Sequence, residues 1–223
     1  MPDGRLERSK SLYERAVFGG DPAAIDEGLS LLDGVTADLA LARARLLHAR
    51  FLVDEQPDPR ELALAEEAAA LFEQVGDARG QGEALFWVSM YHQVCLGDHA
   101  TATPLLTRAL ALATAAGDDL TRSYIVRHLA FVEMNAGDLA AARPLLEESV
   151  ELRRKVGHQA GVAAGLLALA HLAHEQGRTA DVPALLDEAA ATAATADAAG
   201  VRKWITESRD LLSETPPPGS EGS

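Results

Sequence analysis

A glycine recurs every twenty residues through the second half of the chain, and in three of five cases an aspartate follows it. Glycine accepts the left-handed backbone that ends a helix, and an aspartate carboxylate caps free N–H groups at the start of the next helix. The repeated pair therefore predicts helices of similar length joined by tight turns. The glycines are Gly97, Gly117, Gly137, Gly157 and Gly177, and Asp98, Asp118 and Asp138 follow the first three.

Two similar pairs lie upstream. Gly76 and Asp77 stand one residue out of phase with the later glycines, and Gly20 and Asp21 repeat the pair near the start. With these turns, we expect helices near residues 5–18, 22–33, 37–54, 60–75, 79–96, 99–116, 119–136, 139–156, 159–176, 179–196 and 200–213. Pro104 falls early in one of these segments, so we expect that helix to begin near residue 102 and to hold the proline in its first turn.

The composition narrows the class of protein. Nearly half of the residues are hydrophobic and only 4% are aromatic, which suits closely stacked helices better than a sandwich or barrel. The net charge of −14 argues against nucleic-acid binding and against docking on anionic lipid, since both need a basic surface. The single cysteine excludes an internal disulfide, and we see no signal peptide or membrane span, so we expect a cytoplasmic protein.

These patterns together predict an all-α fold. We expect a right-handed α-solenoid of about five antiparallel helix pairs, with the segment at 200–213 as a C-terminal capping helix. The predicted organisation is one helical-repeat domain over 1–213, with its best repeats at 37–196. The residues 214–223, rich in proline, glycine and serine, are expected to form a disordered tail.

Successive pairs of segments superpose as forty-residue units. Ala102 falls on Ala142, Leu105-Leu106 on Leu145-Leu146 and Leu185-Leu186, and Pro104 on Pro144, while Ala130 and Ala170 occupy equivalent places before the glycines. In these residues the chain resembles the tetratricopeptide repeat superfamily. The forty-residue period is similar to the longer variant in sensor or interaction regions of bacterial ATPase-type transcription activators. The resemblance implies a bacterial scaffold or interaction protein, and it implies no activity.

The resemblance also implies which residues line a concave groove. The first helix of each repeat lines it, and the positions so assigned include four of the chain's ten aromatic residues. Aromatic rings on one face suit a peptide or an apolar ligand, although the same rings could instead be core. The groove residues predicted in this way are Arg43, Arg50, Trp87, Tyr91, Tyr124, Arg127, Phe131, His171 and His174.

Three of these groove residues are arginines, in an acidic protein. Arginine grips carboxylate or phosphate groups in a forked geometry, so Arg43, Arg50 and Arg127 predict an anionic group on the bound partner. The alternative is that these arginines pair with glutamates of the chain itself. Further along, the run Arg153-Arg154-Lys155 ends a segment, where cations complement the helix dipole.

Metal and catalytic sites are not expected from the sequence. His171 and His174 are spaced to share a zinc ion, but a third strong ligand is missing, so we expect ordinary groove histidines and no metal. No phosphate-binding loop or nucleophile elbow is present. Cys95 has no obvious base beside it, since His92 is expected to turn aside. We therefore expect no catalytic residue and no cofactor.

The sequence leaves three classes of function open, of which the third is a purely structural adaptor that makes its contacts through the outer face of the array, including Arg153-Arg154-Lys155. The first is a non-catalytic binding module that presents its groove to a partner protein or peptide, in a regulatory role. The alternative is a sensor of a small hydrophobic, anionic molecule, or an enzyme that uses the groove as its pocket. A homodimer is also compatible with the repeat, since an uncovered end of the array can pair with a copy of itself.

Overall fold

The structure is a computed structural model that describes residues 3–214. Within that range the chain is all-α, as predicted: it forms ten α-helices and no strand. The helices are α1 (Gly4–Val17), α2 (Ala23–Asp54), α3 (Pro59–Gln74), α4 (Ala78–Met90), α5 (His99–Ala115), α6 (Asp119–Asn135), α7 (Leu139–Lys155), α8 (Gln159–Glu175), α9 (Val182–Thr195) and α10 (Ala199–Glu214).

The glycine–aspartate turns have the predicted geometry. Each turn glycine has a positive φ, between 66° and 81°, so an alanine there would be strained. The carboxylates of Asp98, Asp118 and Asp138 accept the backbone N–H three residues later at 3.0, 3.1 and 2.8 Å. His158, at the equivalent position, makes no such bond, so only the aspartates act as side-chain caps in this part of the chain.

The phase shift at Gly76 has a structural counterpart. Gly76 lies twenty-one residues before Gly97, rather than twenty. Helix α4 ends at Met90 and continues as a π-helical turn over Tyr91–Cys95, in which the N–H of Leu96 bonds the carbonyl of Tyr91 at 3.2 Å. A π turn accommodates one inserted residue without ending the helix. We therefore attribute the π turn to the extra residue, because the equivalent helices α6 and α8 have none.

Two sequence predictions about the helices are wrong. The segments 22–33 and 37–54 form one helix, α2, because Gly34 keeps a right-handed backbone, and an interior glycine weakens a helix without breaking it. Helices α5 and α7 begin directly after their capping aspartates. Pro104 and Pro144 therefore lie in the second turn, where each removes one backbone hydrogen bond.

The helices form two compact units, with the boundary between Gly117 and Asp118. In the first unit, α1 to α4 each pack against the next helix in the chain, and in the second unit α6 to α9 do the same. The second unit has a core of alanine and leucine, which includes Ala142, Leu146 and Leu172. The alanines allow the helices to approach closely and the leucines fill the space between them, which is the packing that the composition predicted.

The predicted capping helix, α10, packs on α8 and α9 through the buried side chain of Ile205. The prediction of a single domain over 1–213 stays a prediction. Apart from Glu214, the last residue of α10, the tail predicted over 214–223 lies outside the described residues. Across residues 3–214, no helix combines the length and the apolar character that crossing a membrane requires.

Candidate functional site

The second unit contains an open cleft of about 400 Å³ between α6, α8 and α10. Helix α6 supplies residues one and two turns apart, and α8 supplies residues at the same spacing, so one face of each helix borders the cleft. Its walls are mainly apolar, with a charged residue of each sign. The lining residues are Arg127, Phe131, Met134, Leu167, Ala168, His171, Glu175 and Trp204. Three of the predicted groove residues, Arg127, Phe131 and His171, thus share one cavity.

Arg127 has an unusual environment for a charged side chain. It is half-buried, its Nε atom is buried without a hydrogen-bond partner, and its guanidinium lies 4.6 Å from the centre of the Phe131 ring. Burial, and then the nearby positive charge of Arg153, lower the pKa of Arg127 to about 10. The side chain still carries its charge at neutral pH. Among residues 3–214, no carboxylate pairs with Arg127.

The other residues of the cleft that carry polar groups differ in whether they are free to contact a ligand. His171 shares a hydrogen bond of 2.9 Å with Ser208 of α10, and burial lowers the pKa of its imidazole. It is therefore neutral near pH 7. Glu175 is exposed at the end of α8 and Trp204 is 47% exposed, so an acidic group and a large aromatic surface remain open to a ligand.

A second arginine is buried beside this region. Arg153 lies in the last turn of α7, where the sequence placed it, and is only 1% exposed. Its guanidinium donates to the carbonyl of Gly161 at 2.9 Å and to Ser123 Oγ at 3.3 Å, and it stacks 4.9 Å from the Tyr124 ring centre. The pattern explains this burial, since Arg153 falls one turn after Val150 on the apolar face of α7.

The remaining predicted groove residues of the second unit lie elsewhere. The Tyr124 hydroxyl and His158 Nε2 are 3.0 Å apart, and Tyr124 does not line the cleft. His174 is buried and borders a different cavity, of about 260 Å³, together with Leu186 and Arg209. The two histidines that the sequence spaced for a shared zinc ion thus serve separate cavities.

In the first unit, the predicted groove residues have mixed surroundings. Arg43 is exposed, while Arg50 forms an ion pair with Asp58, an aspartate rather than one of the glutamates that the sequence offered. Tyr91 is 6% exposed and belongs to the core. Trp87 is half-buried and meets the ring of His48 edge-on, with 5.4 Å between ring centres.

His48 belongs to a cluster that sequence reasoning missed. His48 Nδ1 lies 2.8 Å from Glu61 Oε1 and 3.9 Å from Cys95 Sγ, and Cys95 Sγ lies 3.7 Å from Glu61 Oε2. His48 and Glu61 are buried and Cys95 is half-buried. A signal existed, because both polar residues fall on apolar helix faces: His48 follows Ala44 by one turn, and Glu61 precedes Ala65 by one turn.

The cluster does not have the geometry of a catalytic cysteine. In a nucleophilic triad, the thiol and the carboxylate face opposite nitrogens of the imidazole, whereas here both Cys95 and Glu61 face Nδ1 of His48. Burial, and then the charge of Glu61, raise the pKa of the Cys95 thiol to about 12. The thiol on its own is therefore a poor nucleophile at neutral pH.

No family model matches the chain, and no curated protein matches it either. Function must therefore be argued from the residues of the cleft and of the cluster.

Proposed function

We propose that the chain is a non-catalytic binding module of the tetratricopeptide type, in its longer, forty-residue form. In this proposal the helix pairs follow the right-handed solenoid pattern of that superfamily. The cleft lined by Arg127, Phe131, His171 and Trp204 binds a short segment of a partner protein or peptide. The regular glycine–aspartate turns and the superposing forty-residue units support the repeat assignment. The chemistry of the cleft supports a peptide as the ligand.

The unpaired charge of Arg127 carries this proposal. A buried guanidinium without an acidic partner costs free energy in the ligand-free protein. A carboxylate bound in the cleft would supply the missing partner through charge-assisted hydrogen bonds, which are about twice as strong as neutral ones. The guanidinium lies 4.6 Å from the centre of the Phe131 ring, and both residues line the cleft in which the ligand would bind.

The remaining walls favour a peptide over a simple fatty acid. Apolar contacts with Met134, Leu167 and Trp204 suit a hydrophobic side chain. Glu175 adds a carboxylate to the same cleft, so the best complement carries a cation as well as an anion. A peptide segment with an acidic group, an apolar side chain and a basic group meets all three requirements.

A library of short synthetic peptides, assayed for binding to the full chain, tests the proposal. We expect selected peptides to combine a hydrophobic residue with a carboxylate. Arg127→Gln should weaken their binding by about ten- to a hundredfold, the usual loss for one charged hydrogen bond. Arg154→Gln is the matched control, because Arg154 pairs with Glu151 and Glu188 away from the cleft residues, and it should bind normally.

Glu175→Gln should remove the preference for a basic group and keep the preference for a carboxylate. Peptides that bind Arg127→Gln as tightly as the unmodified chain would refute the proposal, and so would a library without any binder.

The cleft volume also falls within the range of small-ligand pockets, which favours a small amphiphilic anion as the second candidate. Titration with 4-phenylbutyrate and with its amide separates the two candidates. Tight binding of the acid alone, with no peptide binding, would favour the small molecule.

A further inference from the structure

We infer that His48, Glu61 and Cys95 of the first unit form a binding site for a zinc ion. The inference is independent of the cleft, which lies in the second unit. It rests on the geometry of three donor atoms, on the charge they carry, and on the backbone that brings Cys95 to the other two.

The donor atoms already lie at nearly the spacing that zinc requires. Ligand bonds of about 2.0–2.3 Å in a tetrahedral site place the donor atoms about 3.3–3.6 Å apart. In the structure, Cys95 Sγ is 3.9 Å from His48 Nδ1 and 3.7 Å from Glu61 Oε2. The 2.8 Å contact between His48 and Glu61 need only widen by about half an ångström to meet that spacing.

The donor set selects the class of metal. A thiolate is a poor ligand for magnesium or calcium, which prefer oxygen, and a carboxylate is a poor ligand for monovalent copper. One sulfur, one nitrogen and one oxygen donor together suit zinc. A zinc ion would also neutralise the site, because its two positive charges balance the thiolate and the carboxylate while the imidazole stays neutral.

The surrounding structure resembles the shell of a built metal site. The edge of Trp87 packs against His48, and Phe51 lies 6.1 Å from the same ring on another side. Such an apolar shell fixes the orientation of an imidazole ligand and limits access of water. Glu61 is fully buried, so a nearby cation would compensate the cost of burying its charge.

The π turn places the cysteine at this site. Cys95 is the last residue of Tyr91–Cys95, the one π-helical turn within residues 3–214. Because π turns shift the register of the residues that follow, the inserted residue brings the thiol against α2 and α3. Cys95 is also the half-exposed member of the cluster. Three protein ligands leave a fourth position for water or for a donor from a bound molecule, which is typical of open zinc sites.

Titration of the full chain with Co²⁺, a spectroscopic substitute for zinc, tests the inference. We expect one equivalent to bind, with a thiolate-to-cobalt charge-transfer band in the near ultraviolet and the intense visible bands of a tetrahedral site. Zn²⁺ should displace it, whereas Mg²⁺ should not. Cys95→Ser should lose the charge-transfer band, and Glu61→Gln should bind at least about tenfold more weakly.

His92→Gln is the matched control, since His92 lies three residues from Cys95 and outside the cluster; it should bind cobalt normally. Alkylation of the chain's single thiol in unmodified protein gives a readout that needs no variant, and Zn²⁺ should slow the reaction. The inference is overturned if cobalt does not bind stoichiometrically, if folded Cys95→Ser keeps the band, or if zinc leaves the alkylation rate unchanged.

Discussion

Replacement of Arg127 by methionine should stabilise the ligand-free protein while it weakens ligand binding. Most substitutions at a half-buried position destabilise, so an increase in stability would be diagnostic. The reason lies in the charge: Arg127 is held in the second unit without an acidic partner, and burial lowers its pKa to about 10. Methionine keeps the apolar contact with Phe131 and removes the charge.

The structure gives the size of the expected effect. The pKa of Arg127, about 10, lies well below that of arginine in water, and each pKa unit corresponds to about 1.36 kcal/mol, so burial of the charge costs about 3 kcal/mol. Partial exposure to solvent reduces this cost to about 2 kcal/mol. Loss of the cation–π contact with Phe131 destabilises the variant by about 0.5–1 kcal/mol and offsets part of this gain. The net gain is about 1 kcal/mol, or a rise in Tm of about 2–4 °C for a chain of this length.

Thermal unfolding followed by circular dichroism measures this shift. The control is Arg154→Met, which also removes one positive charge but breaks surface ion pairs with Glu151 and Glu188; its Tm should stay the same or fall slightly. A Tm of Arg127→Met at or below that of the control would refute the reasoning. It would mean that the guanidinium is solvated or paired, and that its charge is already compensated in the ligand-free protein.

Two further predictions concern the packing and the pH dependence of the fold. Gly80→Ala should destabilise the folded protein by about 1–3 kcal/mol, because a Cβ atom there would lie 2.5 Å from the ring of Phe72. Gly4→Ala is the control and should leave stability unchanged, because a Cβ atom at Gly4 would have nothing within 4 Å. Equal Tm values for the two variants would contradict this. Burial, and then the charge of Arg153, lower the pKa of His158 in the folded state. The unfolded chain therefore takes up that proton first, and stability should fall as the pH drops through about 6.5. His158→Gln should lose less Tm between pH 7.5 and pH 5.5, and parallel curves would refute the assignment.

Local signals account for the parts of the fold that the sequence predicted. A glycine at a positive φ followed by a capping aspartate is a property of four or five neighbouring residues, so Gly97-Asp98 and Gly137-Asp138 could be recognised without knowledge of tertiary contacts. The expected break between residues 33 and 37 is absent, because an interior glycine such as Gly34 is compatible with a helix and Val35, rather than a capping aspartate, directly follows it. A turn is therefore predictable where a glycine and a capping aspartate occur together.

Three residues of the cleft had been assigned to a common surface through a different kind of information. The resemblance to tetratricopeptide repeats assigned Arg127, Phe131 and His171 to one surface, and the structure brings these three together. It gave no information on Trp204, which comes from α10, outside the repeat pattern. Nor could it tell that Tyr91 would be buried, because burial depends on the side chains of helices that lie far away in sequence.

The cluster of His48, Glu61 and Cys95 was missed because its members are 13, 34 and 47 residues apart, and no local motif joins them. Each polar member nevertheless interrupts an apolar helix face, as Arg153 interrupts the face of α7. A helix that buries a charge where alanine or leucine would pack gives up stability, and such positions concentrate at functional sites.

Arg153 on the one hand, and Arg127 and the cluster on the other, represent two different outcomes of that principle. The structure satisfies Arg153 with hydrogen bonds to Ser123 and Gly161, so its burial is explained by packing alone. The Nε atom of Arg127 has no such partner. In the cluster, the buried Glu61 carboxylate lies 2.8 Å from His48 Nδ1 and 3.7 Å from Cys95 Sγ, so three possible metal ligands share one site. In our proposals an anion completes the cleft and a metal cation completes the cluster. Buried polar groups, rather than cavity size, are therefore the feature that singles out these two sites.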